Sequence, residues 1–231
     1  MFKNKKISVV IPCYNEEKTI GKVLKEMPDF VDEIIVVDNN SSDMTAEIAR
    51  KYGARVIKEK NQGVGWATQR GMMSAKGDVL VIMDGDGQHN PCDIRKFLDL
   101  MSGRKTKVVF GTRFYEKAQG VKSGSRARDF GNRIQTFFFN LLFRTKISDS
   151  QCGMWVFDKK ILREISLKSG GFSIVEEFKT RVINRGIEFG ELPIDCKRRK
   201  GPSRLSPVVD GFKNLIFLLK LFYELRIKKG R

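Results

Sequence analysis

The 231-residue sequence predicts an α/β fold, with a mostly parallel central sheet flanked by helices. The first observation is that short apolar runs, typical of strands buried on both faces, alternate with stretches of helical periodicity. The second is that three of these runs end in clusters of polar residues. Because ligands bind beyond the carboxyl ends of the strands in such sheets, the clusters predict a binding site along one edge.

Hydrophobic periodicity places the elements of the first half of the chain. The apolar run at residues 7–11 ends at Pro12, as expected for a buried strand, and a helical stripe follows it. The same alternation then repeats along the chain. The predicted strands cover residues 7–11, 33–37, 55–58 and 79–83, and the predicted helices cover residues 20–27, 45–52 and 64–75.

The second half of the chain is less regular. Strands are predicted at residues 107–112, 155–157 and 187–194, and helices at 175–185 and 212–227. Between them lie a polar loop at 117–128, an aromatic segment at 134–143 and a basic run at 197–204.

The composition limits the possible partners. Lysine and arginine number 44 against 27 acidic residues, which gives a net charge of +17. Such a charge predicts an anionic partner (nucleic acid, a membrane surface or a phosphorylated substrate), the alternative being a merely basic surface. The four cysteines form neither a C-x-x-C motif nor a disulfide framework, which favours reduced thiols. We expect no signal peptide, and no membrane span because the longest apolar stretch, at 215–225, is too short.

The Asp84-Gly85-Asp86 turn directly follows a predicted buried strand. Mg²⁺ and Mn²⁺ prefer oxygen ligands and often share one or two carboxylates with the phosphates of a substrate. The two aspartates therefore predict a Mg²⁺ or Mn²⁺ site, with Gln88 as a further oxygen ligand. Such pairs are common on surface turns, and the position after a buried strand is what favours the metal. His89, the single histidine, is interpreted as a turn residue rather than a ligand.

With these clusters placed, the sequence resembles the family 2 glycosyltransferases of the GT-A fold. Within that family it is most similar to the polyprenyl-phosphate hexose synthases, such as the dolichyl-phosphate mannose and glucose synthases. The matching segments follow the family's order along almost the whole chain. They are VVIPCYNE at 9–16, VVDNNSSD at 36–43, NQGVG at 61–65, MDGDGQH at 83–89, FGTRF at 110–114, RDFGNR at 128–133, DSQCG at 149–153 and GPSRL at 201–205.

The resemblance implies roles for four sets of residues. The nucleotide-sugar would be bound by Pro12, Tyr14, Glu16, Val37, Asp38, Asn39, Gly63, Asp84 and Gly85. The metal would be held by Asp84, Asp86 and Gln88. The acceptor phosphate would be bound by Arg113, Arg128, Asn132, Arg198, Arg199 and Arg204, and the catalytic residues would be Asp86, Arg113 and Arg128. Asp149 and Glu177 would orient the sugar hydroxyls.

Three positions depart from the family's pattern. Asn39 stands where the family often has a second aspartate after Asp38. Guanine presents two adjacent N–H donors, which suit a carboxylate, whereas uracil presents an acceptor, a donor and an acceptor, which suit an amide. If Asn39 reaches the base, a UDP-hexose is favoured over GDP-mannose. Val64 replaces a frequent lysine, and Arg204 replaces the usual lysine before Leu205, keeping the charge but changing the geometry.

The acceptor is predicted from the positively charged residues available to bind it. A phosphate monoester is ionised near neutral pH and needs no general base, but it does need cations, which the arginines supply. A polyprenyl acceptor also requires contact with a membrane surface. Two apolar and basic segments, at 133–144 and 213–231, predict helices that lie in the membrane interface, the alternative being that both are core or dimer contacts.

We therefore expect one catalytic domain, 1–231, with a nucleotide-sugar and metal-binding half at 1–115, an acceptor half at 116–205 and an amphipathic basic helix at 206–231. The hypothesis is a metal-dependent, inverting transfer of a hexose from UDP-glucose or UDP-GlcNAc to a polyprenyl or dolichyl phosphate. The enzyme would be cytoplasmic and peripherally bound to the cell membrane, or to the cytosolic face of the ER in a eukaryote. GDP-mannose as the donor, and a glycan, protein or diacylglycerol as the acceptor, are alternatives. A nucleic-acid-binding protein is disfavoured, because no recognition-helix, RNP or zinc-finger pattern is present.

Overall fold

The computed structural model describes residues 2, 4–104, 106–114, 126–197 and 207–227. Within these residues one seven-stranded sheet forms the centre of the fold. Its strands are β1 (Ile7–Cys13), β2 (Glu33–Asp38), β3 (Arg55–Lys58), β4 (Val79–Ile82), β5 (Val108–Thr112), β6 (Trp155–Asp158) and β7 (Phe189–Pro193). Their order across the sheet is β3-β2-β1-β4-β6-β5-β7, which confirms the predicted α/β class with a mostly parallel sheet.

The first four strands are parallel to one another. β1 lies between β2 and β4, and β3 lies outside β2. Every residue of β1 is buried, because helices cover both faces of the sheet, and this explains why its sequence is apolar apart from Ser8. The carboxyl ends of β1, β2 and β4 consequently open on the same edge of the sheet.

β6 is antiparallel to both of its neighbours, β4 and β5. The strand–helix alternation did not predict this reversal. In the register of the pair, Trp155 at the start of β6 lies opposite Ile82 at the end of β4. The segment that precedes β6, residues 149–154, is therefore brought to the carboxyl end of β4.

Seven helices accompany the strands in the described part of the chain. They are α1 (Ile20–Lys25), α2 (Thr45–Lys51), α3 (Val64–Ser74), α4 (Ile94–Arg104), α5 (Arg126–Phe143), α6 (Ile174–Asn184) and α7 (Pro207–Phe222), and a π-helical turn, Tyr223–Ile227, continues α7. α4 was not predicted. The predicted loop at 117–128 is wrong over 126–128, where α5 begins, and its remainder lies outside the described residues. α7 begins at Pro207 rather than at residue 212, since proline suits the first turn of a helix.

The apolar core has three parts. One lies on the face of the sheet covered by α1 and α4, and a second lies on the opposite face under α3 and α6. The third lies between α5 and α7, where Phe139 and Phe143 pack against Leu218, Leu221 and Leu225. The two longest helices are thus joined by a core of their own beside the sheet.

Candidate active site

A cleft of about 450 Å³ opens at the carboxyl ends of β1 and β4 and extends to α5 and α7. Pockets for small molecules commonly have volumes of roughly 300–1,000 Å³. The sequence-predicted residues that line it are Pro12, Tyr14, Glu16, Asn39, Gly63, Asp84, Gly85, Asp86, Gln88, Arg113 and Asn132. The fold therefore brings together residues from segments spread over most of the chain.

The loops that follow β1 and β2 are joined by hydrogen bonds. Asn15 has a φ of 53°, a left-handed conformation that asparagine tolerates. Its Oδ1 accepts the backbone N–H of Ser42 at 2.7 Å, and its own N–H donates to Ser41 Oγ at 3.0 Å. The N–H of Glu16 donates to Thr45 Oγ1 at 2.8 Å. Short polar side chains thereby fix this wall of the cleft.

The Asp84–Asp86 turn continues directly from β4. Asp84 exposes 44% of its side chain, whereas Asp86 is buried. The hydroxyl of Thr19 donates to the carbonyl of Gly85 at 2.8 Å and ties the turn to the start of α1. A Cβ at Gly153 would lie 2.5 Å from Asp84 Oδ2, so the glycine allows the segment before β6 to approach this carboxylate.

His89 supports the same turn from inside the protein. Its side chain is buried, and its Nδ1 accepts the backbone N–H of Asp84 at 3.3 Å. The interpretation of His89 as a simple turn residue is therefore incomplete. Gln88 donates from its backbone N–H to Asp86 Oδ1 at 3.0 Å and from Nε2 to the Lys197 carbonyl at 3.2 Å. Its amide oxygen accepts no hydrogen bond from the described residues.

The electrostatics of this edge favour a cation. Burial, followed by the carboxylates of Glu16, Asp38, Asp84 and Asp86, raises the pKa of the Cys13 thiol well above its ordinary value. Four negative groups therefore converge on one point. Within the described residues, no group of three or more His, Cys, Asp or Glu side chains is placed to hold a metal alone. Two carboxylates and an amide oxygen fit Mg²⁺ or Mn²⁺ that shares its coordination with a diphosphate.

Asn39 lines the cleft, but its amide is engaged by the chain itself. Nδ2 donates to the carbonyls of Glu59 at 3.1 Å and Asn61 at 2.7 Å, and Oδ1 accepts the N–H of Gly63 at 2.7 Å. Because both amide hydrogens are used, the side chain has none left for a uracil carbonyl. The structure therefore gives no support to the predicted contact with the base, and Asn39 instead shapes the 59–63 loop.

Val37 and Asp38 were predicted to line the nucleoside pocket, and the structure gives no support to either contact. Val37 is buried in the sheet, where a Cβ on Gly71 of α3 would lie 2.9 Å from Val37 Cγ2. Asp38 is also buried, and its Oδ1 accepts the N–H of Ser41 at 3.1 Å. Neither residue belongs to the wall of the cleft. They build the support beneath it.

Arg113 follows β5 and is held by a two-pronged ion pair. Its Nε lies 2.7 Å from Asp149 Oδ2, and its Nη2 lies 2.9 Å from Asp149 Oδ1. Burial opposes ionisation of both groups, but the pairing raises the pKa of Arg113 and holds the pKa of Asp149 below its ordinary value. Asp149 is fully buried, and its oxygens also accept the backbone N–H groups of Arg113 and Gln151. This does not support its predicted contact with sugar hydroxyls, because it is occupied in fixing Arg113.

A buried polar cluster stands behind Arg113 and was missed by the sequence analysis. Gln151 lines the cleft and donates from Nε2 to the carboxyl group of Glu176. Burial raises the pKa of Glu176 to about 8, although Lys179 and Gln151 act in the opposite direction. Burial also lowers the pKa of Lys179, whose ammonium group donates to the carbonyl of Asp149. In the predicted helix at 175–185, polar residues occupy positions on the face that the apolar residues bury. That pattern could have indicated the cluster from the sequence.

Glu177 follows Glu176 on α6, but its side chain contacts the loop at residues 168–170 and Arg181 rather than the cleft. Its Oε2 accepts the backbone N–H groups of Lys168 at 2.9 Å and Ser169 at 2.7 Å, while its Oε1 pairs with Arg181 at 2.6 Å. Gly170, in the loop held by these bonds, accepts the N–H groups of residues 65 and 66 at the start of α3. Glu177 does not line the cleft, so its predicted contact with the sugar is unsupported. It positions the loop that packs on α3.

The predicted acceptor residues divide into two groups. Asn132 lies on α5 and lines the cleft. Arg128 belongs to the first turn of α5, but its side chain lies outside the described residues. Arg198, Arg199 and Arg204 also lie outside them. The roles of these four arginines stay predictions.

α5 and α7 each carry a row of exposed apolar side chains. We call these two rows the apolar stripes: Phe130, Ile134, Phe137 and Leu141 on α5, and Phe212, Ile216, Leu219 and Tyr223 at the end of the chain. Both rows have the spacing i, i+4, i+7, i+11, which keeps them on one face of a helix. The same helices line the cleft with Gly131, Asn132, Gln135, Gly211 and Asn214. No helix in the described part of the chain is long and apolar enough to cross a membrane.

Known proteins are similar to this chain in sequence and in fold. Residues 8–166 match the family described as glycosyl transferase family 2. The chain is 32% identical over 226 residues to the dolichyl-phosphate hexose transferase of Haloferax volcanii, covering 96% of each protein. It is 30% identical over 243 residues to the UDP-N-acetylglucosamine–dolichyl-phosphate N-acetylglucosaminyltransferase of Methanococcus voltae, covering 94% of this chain and 96% of the relative.

The fold is shared with glucosyl-3-phosphoglycerate synthase from Mycobacterium tuberculosis. Its crystal structure in complex with Mn²⁺, uridine-diphosphate and glucosyl-3-phosphoglycerate superposes with a TM-score of 0.75 at 21% identity, covering 96% of this chain and 80% of that one. The overall fold of the chain is thus that of a known architecture. The chain belongs to glycosyl transferase family 2 and is a glycosyltransferase with the GT-A fold.

Proposed function

We propose that this glycosyltransferase moves a hexose from a UDP-sugar, either UDP-glucose or UDP-GlcNAc, to a polyprenyl or dolichyl phosphate. The observation that carries the proposal is the composition of one cleft. It holds the Asp84 and Asp86 carboxylates at one end, and at the other it is lined by two helices that expose the apolar stripes. A nucleotide diphosphate suits the first end, and a lipid-linked phosphate suits the second.

The donor is inferred from the relatives rather than from Asn39. The relative from Methanococcus voltae is named for UDP-N-acetylglucosamine, and the fold is shared with a synthase solved with uridine-diphosphate. These names favour UDP over GDP. GDP-mannose remains the alternative donor, since the engaged amide of Asn39 discriminates against neither base.

The carboxylates of Asp84 and Asp86, with the amide oxygen of Gln88, would hold Mg²⁺ or Mn²⁺. When bound, such a metal neutralises the charge of the departing diphosphate. The chain itself positions these ligands. Thr19 anchors the turn through the carbonyl of Gly85, and His89 anchors it through the N–H of Asp84.

The transfer is an in-line displacement with inversion at the anomeric carbon. An oxygen of the acceptor phosphate forms a bond to this carbon, while the bond from the carbon to the diphosphate oxygen breaks. Because a phosphate monoester is already ionised near neutral pH, no side chain needs to take a proton. Arg113, fixed by Asp149, would hold the acceptor phosphate in line, and Asn132 and the arginines at 128, 198, 199 and 204 are further candidates.

The apolar stripes would seat the enzyme on a membrane. Lys213 and Lys220 on α7, and Arg133 and Arg144 on α5 or at its end, are exposed on the same two helices. Each basic residue near an anionic leaflet contributes about 1 kcal/mol, and the apolar side chains enter the interface. The relative from Haloferax volcanii is named a dolichyl-phosphate hexose transferase, which supports a lipid-linked substrate. The proposed enzyme is bound peripherally at the cytoplasmic face of the membrane.

A matrix of donors and acceptors tests the proposal. The purified chain with Mg²⁺ or Mn²⁺ would receive UDP-glucose, UDP-GlcNAc or GDP-mannose, each with and without a short polyprenyl phosphate. We expect glycolipid from a UDP-sugar only when the lipid phosphate is present. Glycolipid from GDP-mannose alone would contradict the donor, and nucleotide release without glycolipid would contradict the acceptor.

A further inference from the structure

The segment 149–153 forms the wall between the two ends of the cleft. At its start Asp149 holds Arg113, and at its end Gly153 lies against the carboxylate of Asp84. Gln151 lies between them and faces the cleft. All four of Asp84, Arg113, Gln151 and Gly153 line the cleft, so a hexose whose diphosphate sits at Asp84 and which is attacked from the side of Arg113 would lie against this wall.

The amide of Gln151 is oriented from behind. Its Nε2 donates to Glu176, a residue of α6 with a fully buried side chain. Its backbone N–H donates to Asp149 Oδ1 at 2.9 Å, so both ends of the residue are anchored. This bond uses one N–H of the amide and fixes its plane, and the amide oxygen receives no hydrogen bond from the described residues, so it is free to accept one. A sugar hydroxyl is a donor of the kind it lacks.

We propose that Gln151 binds a hydroxyl of the transferred hexose through its amide oxygen, and that Glu176 is the positioning residue that holds the amide in this orientation. The proposal rests on the proposed function in needing a nucleotide-sugar donor and attack from the side of Arg113, but it does not depend on which acceptor is used. A hydroxyl in the wrong configuration leaves the oxygen of Gln151 unsatisfied, so the pair contributes to the choice of hexose.

A binding experiment separates this role from a structural one. UDP-glucose, UDP-GlcNAc and UDP alone are titrated into the wild type, Gln151→Leu, Glu176→Leu and Glu176→Gln in the presence of Mg²⁺. We expect the two leucine variants to bind one UDP-sugar about tenfold more weakly, the loss of one hydrogen bond, while the affinity for UDP stays unchanged. Glu176→Gln keeps the affinity of the wild type, since its amide oxygen accepts the same bond. Glu164→Leu, an exposed carboxylate after β6, is the matched control.

Equal losses for UDP and for the UDP-sugars would show a purely structural role and overturn the proposal, as would the absence of any loss. Single-deoxy analogues of UDP-glucose then identify the hydroxyl. The analogue without the contacted hydroxyl should bind the wild type as weakly as UDP-glucose binds Gln151→Leu. The affinity for this analogue should not fall further in Gln151→Leu, because the contact is already absent. Additive losses for every analogue would contradict the contact. If the wild type binds GDP-mannose instead, the proposed donor is wrong, and the same comparison is made with GDP-mannose against GDP.

Discussion

The two ends of the cleft are built in different ways. The end that we assign to the donor, called the donor end, consists of turns that follow parallel strands, and hydrogen bonds such as Thr19 to Gly85 and Asn39 to Asn61 fix them. The end that we assign to the acceptor, called the acceptor end, consists of α5 and α7, which pack on each other through a separate apolar core and expose the apolar stripes. The first end buries polar groups such as Asn39 and Asp86 at the edge of the sheet, whereas the second leaves apolar groups on the surface.

This difference indicates where precision and adaptability are needed. A diphosphate and a metal require ligands held within tenths of an ångström, which strand ends supply. A lipid requires a surface that recognises no fixed shape, which two amphipathic helices supply. Arg113 lies between the two ends of the cleft. It follows a strand of the sheet, and Asp149, in the wall between the two ends, fixes its side chain.

Replacing Asp86 by Ala at the donor end should have the largest effect. The variant loses a carboxylate of the metal pair, and we expect transfer to fall about a thousandfold or more. The fold should survive, since Asp86 lies in a turn outside the strands. Initial rates with circular dichroism and thermal melting check this. Asp29→Ala, at an exposed acidic position, should keep full activity, and turnover like that of the wild type in Asp86→Ala would contradict the metal assignment.

Asp149→Asn tests the boundary between the two ends. The amide cannot balance the charge of Arg113, so we expect kcat/KM to fall about a hundredfold. Breaking a buried pair also costs about 3–5 kcal/mol in the free energy of unfolding, measurable by denaturant titration. The exposed pair Arg95–Asp99 on α4 offers a matched control, because Asp99→Asn should change neither quantity. Full activity in Asp149→Asn would show that Arg113 does not act on the acceptor.

The position of the polar clusters at one edge of the sheet was largely predictable from the sequence. Buried strands read as continuous apolar runs, and polar residues directly after them, such as Asp84 and Glu16, must fall at one edge of a parallel sheet. The sequence did not predict which of these side chains bind to other parts of the protein instead of facing the cleft. Asn39 and Asp38 carry the right chemistry, but loops distant in sequence engage their polar groups, and only the folded backbone reveals those partners.

The wall between the ends was the least predictable part. β6 runs antiparallel, and this reversal is what carries Gln151 and Gly153 to Asp84. No local pattern in a four-residue strand records its direction. The roles of the residues in the aromatic segment at 134–143 were only partly predictable. Phe139 is buried between the helices, whereas Phe137 is exposed. The exposed Phe130 precedes the segment and was not included in the prediction.

Removing apolar side chains from the acceptor end should separate membrane binding from chemistry. In Phe137→Ser and Leu219→Ser, we expect about a tenfold loss of binding to anionic vesicles for each residue, because each loses part of its transfer free energy. Turnover with a short, water-soluble polyprenyl phosphate should remain that of the wild type. Vesicle sedimentation and activity assays measure the two effects.

A matched control for the apolar stripes exists on α3. Met73 is 80% exposed and lies on neither α5 nor α7, so Met73→Ser should leave vesicle binding unchanged. Equal losses in all three variants would mean that vesicles bind by general hydrophobicity. No loss in Phe137→Ser and Leu219→Ser would assign the apolar stripes to another partner and contradict the membrane role.

Replacing Glu176 by Gln should leave turnover nearly unchanged, and its effect is instead on how stability depends on pH. Its pKa is raised from 4.5 to about 8 in the folded protein, so the folded state binds a proton that the unfolded state releases. Its contribution to stability is therefore complete below pH 4.5 and is lost as the pH rises towards 8. In Glu176→Gln this loss is absent, so the stability of the variant relative to the wild type should increase over that interval. Denaturant titrations of both proteins across the interval measure this difference, and parallel pH profiles would mean that Glu176 is already ionised beside Lys179.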